Sequence, residues 1–261
     1  MPSQNGSNFS LVVPLTKVVK ALLIINIGIW LFLEVILEHY ILHAPVVSDY
    51  LALVPLDLVD HFFIWQPVTY MFLHAVDITH ILFNMLMLWW VGSELEQHLG
   101  SRFFLTYYLT CGVGAALLYS LILIVYGLIT HNPLGWQNPV IGASGAIFGL
   151  LVAYGMLFGE RVIYFMMLFP MKAKHFVMIL GGILIANLLS EGLVGSDGVA
   201  HLAHLGGAVT GYLFMKGWSR YQRSSWRTEG GRSGRRGGRR LKLVVNNKDS
   251  KSKNEGPRYW N

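Results

Sequence analysis

The stretch ITHILFNMLMLWWVGSELE at 78–96 is apolar enough to cross a bilayer, yet it carries a histidine and an asparagine near its start. A crossing helix needs about 20 mostly apolar residues. A polar side chain inside such a helix is expensive and marks a functional position by default. His80 and Asn84 are four residues apart, so they share one helix face. Five further apolar runs, at 19–37, 103–128, 144–159, 175–192 and 199–217, bring the expected spans to six. The run at 144–159 is short, reaching only about 24 Å at 1.5 Å per residue. A shorter apolar piece, 162–170, ends at Pro170 and is expected to lie along the interface.

Composition agrees with this reading. The chain has 261 residues, 54% hydrophobic and 13% charged, with a mean hydropathy of +0.49. Soluble domains carry about 25% charged residues, so a soluble globular enzyme and a disordered chain are both excluded. Cys111 is the single cysteine, which excludes an internal disulfide and a cysteine-based metal site. Residues 1–16 hold no basic charge and no cleavage signal follows the first apolar run, which is expected to remain as a span.

The basic residues orient the bundle. Connections at 38–77, 129–143 and 193–198 contain no Lys or Arg. Lys17, Lys20, Arg102, Arg161, Lys172 and Lys174 all fall on the other side. Positive charge stays cytoplasmic, so both termini are expected inside and the long first loop outside. Fourteen of the 20 basic residues lie at 216–261, against three acidic ones, in a tail containing GGRSGRRGGRR at 230–240. Such a tail suits anionic lipid headgroups. RNA binding is the rival use of Arg/Gly repeats, but a membrane tether already accounts for the charge, and no specific nucleic-acid partner is expected. The expected organisation is a short cytoplasmic N-terminus at 1–18, a membrane domain at 19–217 and a basic disordered tail at 218–261.

Three spans bring polar residues to one depth. His80 and Asn84 lie near the outer end of the second span, Ser144 starts the fourth within GASGAIFG, and His201 and His204 lie in the first turns of the sixth. A serine hydroxyl is a weak nucleophile until a base takes its proton, and imidazole does so near neutral pH. The oxyanion that follows needs donors aimed at it. The Ser144 amide, at a helix N-terminus, and the His80 and Asn84 side chains can supply them. Three histidines could hold a metal, but no carboxylate lies at matching depth in these spans, and neither metal nor cofactor is expected. Gly145 and Gly149 on the fourth span, and Gly207 and Gly211 on the sixth, form small faces that allow close helix approach.

At these residues the sequence resembles the rhomboid family of intramembrane serine proteases, over roughly 60–215. WQPVTYMFLHAVDITHILFNM at 65–85 resembles the end of the family's first loop and its H-x-x-x-N helix. GSELEQHLGS at 92–101 resembles the helix end with its acidic residue, here Glu96. GASGAIFG at 142–149 holds the G-x-S-G nucleophile motif, and AHLGGAVTG at 203–211 resembles the helix that carries the base. The resemblance implies a Ser144–His204 dyad, with His204 preferred over His201 because glycines follow it at +3 and +7. It places Phe148 against the base and assigns His74 no role. It also implies an all-α, six-helix membrane bundle with a membrane-associated first loop, acting on transmembrane protein substrates in the lipid bilayer of a bacterial inner membrane. One departure stands out: many members have Trp-Arg in the first loop, and this chain has Trp65-Gln66, which removes a salt bridge. The activity implied is endopeptidase hydrolysis near the extracytoplasmic face. The rivals are a catalytically silent relative that binds membrane clients and a small transporter using the histidines as a proton path.

Overall fold

The computed structural model describes residues 14–131, 133–165, 169–192 and 198–233. Helix α1 (Lys17–Ile29) continues without a break into a π-wound segment, Trp30–Leu42. The first loop folds into three short helices, α2 (Val46–Leu51), α3 (Pro55–Asp60) and α4 (Gln66–Thr69). Helix α5 (Ile78–Met87) passes through a π-turn at Leu88–Gly92 into α6 (Ser93–Leu99). Helices α7 (Ser101–Thr130), α8 (Ser144–Phe158), α9 (Ala173–Glu191) and α10 (Gly198–Ser233) follow.

The architecture is an all-α membrane bundle. Lys17–Leu42, Ser101–Thr130 and Ala173–Ser190 are long and apolar enough to cross a bilayer, and Ser144–Phe158 is apolar but shorter. Their outward faces expose Ile24, Phe32, Leu121, Ile129, Met178 and Leu189, an apolar surface suited to lipid rather than water. The centre is α7, whose Tyr107, Tyr108, Cys111, Ala115 and Tyr119 are fully buried. It packs on α8, α6, α4 and α3.

Side-chain hydrogen bonds fasten the ends of the bundle. Glu96 accepts bonds from the Thr16 hydroxyl (2.5 Å), the Val18 and Val19 amides (3.0 and 2.9 Å) and the Ser101 hydroxyl (2.6 Å). One carboxylate thus satisfies the orphan amides that open α1 and pins them to the end of α6. In the first loop, buried Gln66 accepts from the Val54 amide (3.0 Å) and donates to Asp57 Oδ2 (3.2 Å). A neutral amide therefore cross-links the loop where the resemblance leads one to look for an arginine salt bridge. Trp65 Nε1 donates to the Tyr50 carbonyl (3.1 Å), and Glu38 accepts from the Val47 and Ser48 amides (2.5 and 2.7 Å) at the start of α2.

Two regions carry more structure than the sequence expectation gives them. The piece 162–170, expected to lie along the interface, holds β1 (Val162–Phe165) and the start of β2 (Phe169–Lys172), which pair antiparallel, Val162 opposite Lys172. Pairing satisfies backbone groups that a lone extended piece would leave unmet. Ion pairs from Lys172 (2.7 Å) and Lys174 to Glu160 close its base, and they hold the Glu160 carboxyl down at about 2. Second, α10 runs to Ser233, so the beginning of the segment expected to be a disordered tail at 218–261 is helical. Residues 218–229 contain neither Gly nor Pro, so nothing there stops the helix. The rest of that tail, from 234, lies outside the described residues. The chain divides into two units, Met1–Trp218 and Ser219–Asn261, and the polar residues singled out above all belong to the first.

Candidate active site

Ser144 is the first residue of α8. The turn before it is set by Gly142, whose φ of +119° is closed to residues with a side chain. The Gly142 amide donates to the Tyr70 carbonyl (2.9 Å), which ties this turn to the loop end at 70–72. The loop leading to the turn is anchored as well. Leu53 and Val140 exchange backbone bonds of 3.0 and 2.9 Å, and the Trp136 indole donates to the Leu123 carbonyl (2.9 Å).

His204 comes from α10, sixty residues away. Its Nε2 lies 2.6 Å from Ser144 Oγ. Backbone contact between α8 and α10 makes that distance reachable. A methyl group added at Gly207 would fall on the Gly145 peptide, and one at Gly211 would lie 2.9 Å from Gly149 Cα. Gly149 is held in turn by the Tyr107 hydroxyl, which donates to its carbonyl (2.8 Å). Phe148, one turn after Ser144, stacks on the His204 ring with centroids 4.5 Å apart and planes at 15°. The His201 ring stands edge-on to His204 at 6.2 Å. Of the two histidines, His204 is the one hydrogen-bonded to Ser144.

His80 reaches the same turn from α5, and Asn84 lies one helical turn further on. His80 Nδ1 accepts from the Ala75 amide (3.1 Å). A neutral imidazole that accepts at Nδ1 carries its proton at Nε2. That Nε2 borders the bare face of Gly142: a methyl group placed there would lie 3.0 Å from His80 Nε2 and 3.7 Å from Ser144 Oγ. Gly142 thus keeps open a small space flanked by a hydroxyl and an N–H donor. Asn84 is buried; its Nδ2 donates to the His80 carbonyl (2.8 Å) and its Oδ1 has no partner among the described residues. Asp77 caps α5, accepting from the Thr79 hydroxyl and amide, and these bonds hold its carboxyl below the usual range. His74 is buried with its ring 5.2 Å from that of His80. Burial, with His80 nearby, pushes the His74 imidazole down to about 4. Among the described residues, no three His, Cys, Asp or Glu are grouped to hold a metal ion.

Of the polar residues singled out in the sequence, His80 and Ser144 border Gly142, His204 bonds to Ser144, and Asn84 bonds to the His80 carbonyl. The rhomboid-domain family model matches residues 61–221, more than half of the chain. The chain belongs to the rhomboid family. Among its relatives, RHOMBOID-like protein 12, mitochondrial, of Arabidopsis thaliana is 27% identical over 219 residues, 80% of this chain and 60% of that protein. YdcA of Bacillus subtilis, which carries a rhomboid-protease name, is 29% identical over 79% of this chain and 90% of its own length. RHOMBOID-like protein 1 of Arabidopsis is 34% identical over 58% of this chain and 33% of its own. This rhomboid chain thus spans 60% and 33% of the two Arabidopsis relatives, under two thirds of each, and most of the Bacillus one.

Sequence reasoning misses two groups near this rhomboid site. Glu34 and Glu38 are buried carboxylates on the π-wound continuation of α1. Glu34 falls inside the apolar run 19–37, so the rule that picks out His80 also applies to it.

Proposed function

We propose that the protein is an intramembrane serine endopeptidase, with Ser144 as nucleophile and His204 as its base. The observation that carries this reading is the 2.6 Å contact between Ser144 Oγ and His204 Nε2 at a helix N-terminus. In the proposed reaction, His204 Nε2 takes the hydroxyl proton as Oγ bonds to the scissile carbonyl carbon. The carbonyl π electrons move to oxygen, and the oxyanion is met by the Ser144 amide, the His80 Nε2–H and the Asn84 amide. Collapse breaks the C–N bond, and His204 returns the proton to the leaving amine. Water then hydrolyses the acyl ester on Ser144 by the same route in reverse order. Ser144, His204 and His80 are all part-exposed, as a hydrolytic site requires.

The substrates of this reading are transmembrane proteins that enter from the bilayer and are cut near the extracytoplasmic face. Both termini are cytoplasmic, the tail sits near anionic lipid, and the host is a bacterial inner membrane. A catalytically silent relative has no need of a serine and a histidine in contact. Cleavage of a panel of single-span substrates in proteoliposomes, with Ser144→Ala as control, tests the activity. Equal cleavage by wild type and Ser144→Ala overturns it. Orientation is tested by cysteines introduced at 135 and 225: an impermeant reagent added outside should label only the first, and the reverse pattern overturns the assignment.

A further inference from the structure

Helix α1 reaches the site through two side chains one turn apart. Trp30 Nε1 donates to the Ala75 carbonyl (3.0 Å), and Glu34 Oε1 accepts from the His74 amide (2.6 Å). Together they grip consecutive residues of the short link that precedes α5. The next bond along that link is the one from the Ala75 amide to His80 Nδ1 (3.1 Å). Three side chains and the backbone of two residues therefore form a continuous relay, from the π-wound continuation of α1 to the ring whose opposite nitrogen borders Gly142.

The relay has a chemical consequence. An imidazole ring can carry its proton on either nitrogen, and its partner at one nitrogen decides what the other presents. With the Ala75 N–H held at Nδ1, His80 must present N–H at Nε2, the form that can donate to an oxyanion. Were residues 74–75 free to turn, the other tautomer would place a lone pair there instead.

Glu34 is also costly where it sits. It is 3% exposed within an apolar span, and its Oε2 has no hydrogen-bond partner among the described residues. Packing alone would be better served by an apolar side chain. Trp30 and Glu34 both lie outside residues 61–221 that match the rhomboid-domain model.

We propose that Trp30 and Glu34 are positioning residues, through which α1 clamps residues 74–75 and so fixes the tautomer and direction of His80. This rests on the protease reading above. Neither side chain touches substrate. A carboxylate and a carboxamide both offer an acceptor oxygen to the His74 amide, so the clamp requires an acceptor, not a charge.

The test uses the full chain in proteoliposomes with a cleavable single-span substrate. Glu34→Ala should lower kcat by about 10- to 100-fold, the scale of a misplaced catalytic group, and leave KM within about twofold. Glu34→Gln should restore most of kcat. In a His80→Ala background, Glu34→Ala should cost little more, because the residue it acts through is gone. Trp30→Phe, which keeps the ring and loses the donor, should show the same dependence on His80 and carries the test if Glu34→Ala does not fold. The proposal is overturned if Glu34→Ala and Trp30→Phe turn over like wild type, if Glu34→Gln is as slow as Glu34→Ala, or if their losses persist undiminished without His80. Ser144→Ala distinguishes the two levels. If it cleaves like wild type, the protease reading itself fails. If it is inactive while the Glu34 and Trp30 variants are unimpaired, the clamp alone fails.

Discussion

Phe148 lies flat against the imidazole of His204, their ring centroids 4.5 Å apart. The two residues come from α8 and α10, and the stack fixes the ring plane in which Nε2 meets Ser144 Oγ. The aromatic face thereby supplies orientation without a hydrogen bond. His201 is three positions earlier on the same helix, about 300° of rotation away. It meets His204 edge-on and lies on the adjoining face.

These contacts separate three substitutions. His204→Ala should be as inactive as Ser144→Ala, since nucleophile and base act as a unit and their losses do not add. His201→Ala should keep substantial activity. Phe148→Ala should fall between them, losing about tenfold in kcat as the ring gains freedom, with little change in KM. Steady-state cleavage of one substrate by all three variants checks this. An inactive His201→Ala beside a normal His204→Ala would show that the base is misassigned.

The proposed oxyanion donors make a second case. His80→Ala and Asn84→Ala should lower turnover more than substrate binding, because donors to an oxyanion act mainly in the transition state. Loss of one such donor typically costs about 2.7–4 kcal/mol, or 10²–10³ in rate. The bond from Ala75 makes His80 the better defined donor, since its Nε2–H has a set direction beside Gly142. Asn84 already donates one N–H to the His80 carbonyl, so its substitution should also loosen His80. Separate kcat and KM values decide the point: a pure binding defect in both variants removes them from this role.

Much of this site is legible in the sequence because lipid makes polar residues conspicuous. His80, Asn84, Ser144 and His204 stand out of apolar runs, and a common depth links three helices that are far apart in the chain. Gly145, Gly149, Gly207 and Gly211 announce a close helix pair in the same way. Glu34 obeys the same rule but is harder to read, since nothing in the run 19–37 signals π winding or shows which way a carboxylate turns. The hairpin at 162–172 is hidden for another reason. A short apolar run has no period long enough to separate a strand from a surface helix, and its pairing partner is a second short segment, Phe169–Lys172. The bond of Gln66 to Val54 and Asp57 depends on how a loop closes, which spacing does not encode.

The glycine contact between α8 and α10 predicts a pair of opposite outcomes from the same chemical change. Gly207→Ala places a methyl group on the Gly145 peptide, which is backbone and cannot swing away. The helices must separate, the Ser144–His204 distance must grow, and both thermal stability and activity should fall. Overpacking of this kind typically costs about 1–3 kcal/mol. Gly217→Ala, on the same helix, meets open space within 4 Å. There the alanine should be neutral or stabilising by up to about 1 kcal/mol from helix propensity. Thermal unfolding in detergent and cleavage rate, measured for both, test the contact. Equal behaviour of the two variants would mean that α8 and α10 do not meet backbone to backbone.

Buried His74 links stability to pH. Its imidazole titrates at about 4 in the folded protein, against 6.5 for an ordinary histidine, because burial disfavours the charged ring. The unfolded chain therefore takes up the proton more readily than the folded one. This histidine's contribution to stability is complete above pH 6.5, is lost as pH falls below it, and levels off below about 4. The whole swing is about 3 kcal/mol, with about 2 kcal/mol gone by pH 5. Exposed carboxylates lose favourable bonds mostly below pH 5, so the comparison is made between about pH 5 and 6.5, where the difference between wild type and His74→Gln reports His74. Within that window wild type should unfold at progressively lower temperature as pH falls. His74→Gln, which cannot take up a proton, should show a distinctly flatter profile. Equal slopes for the two proteins would mean that His74 is protonated in the folded state as readily as in the unfolded one, and that its burial against His80 is not maintained.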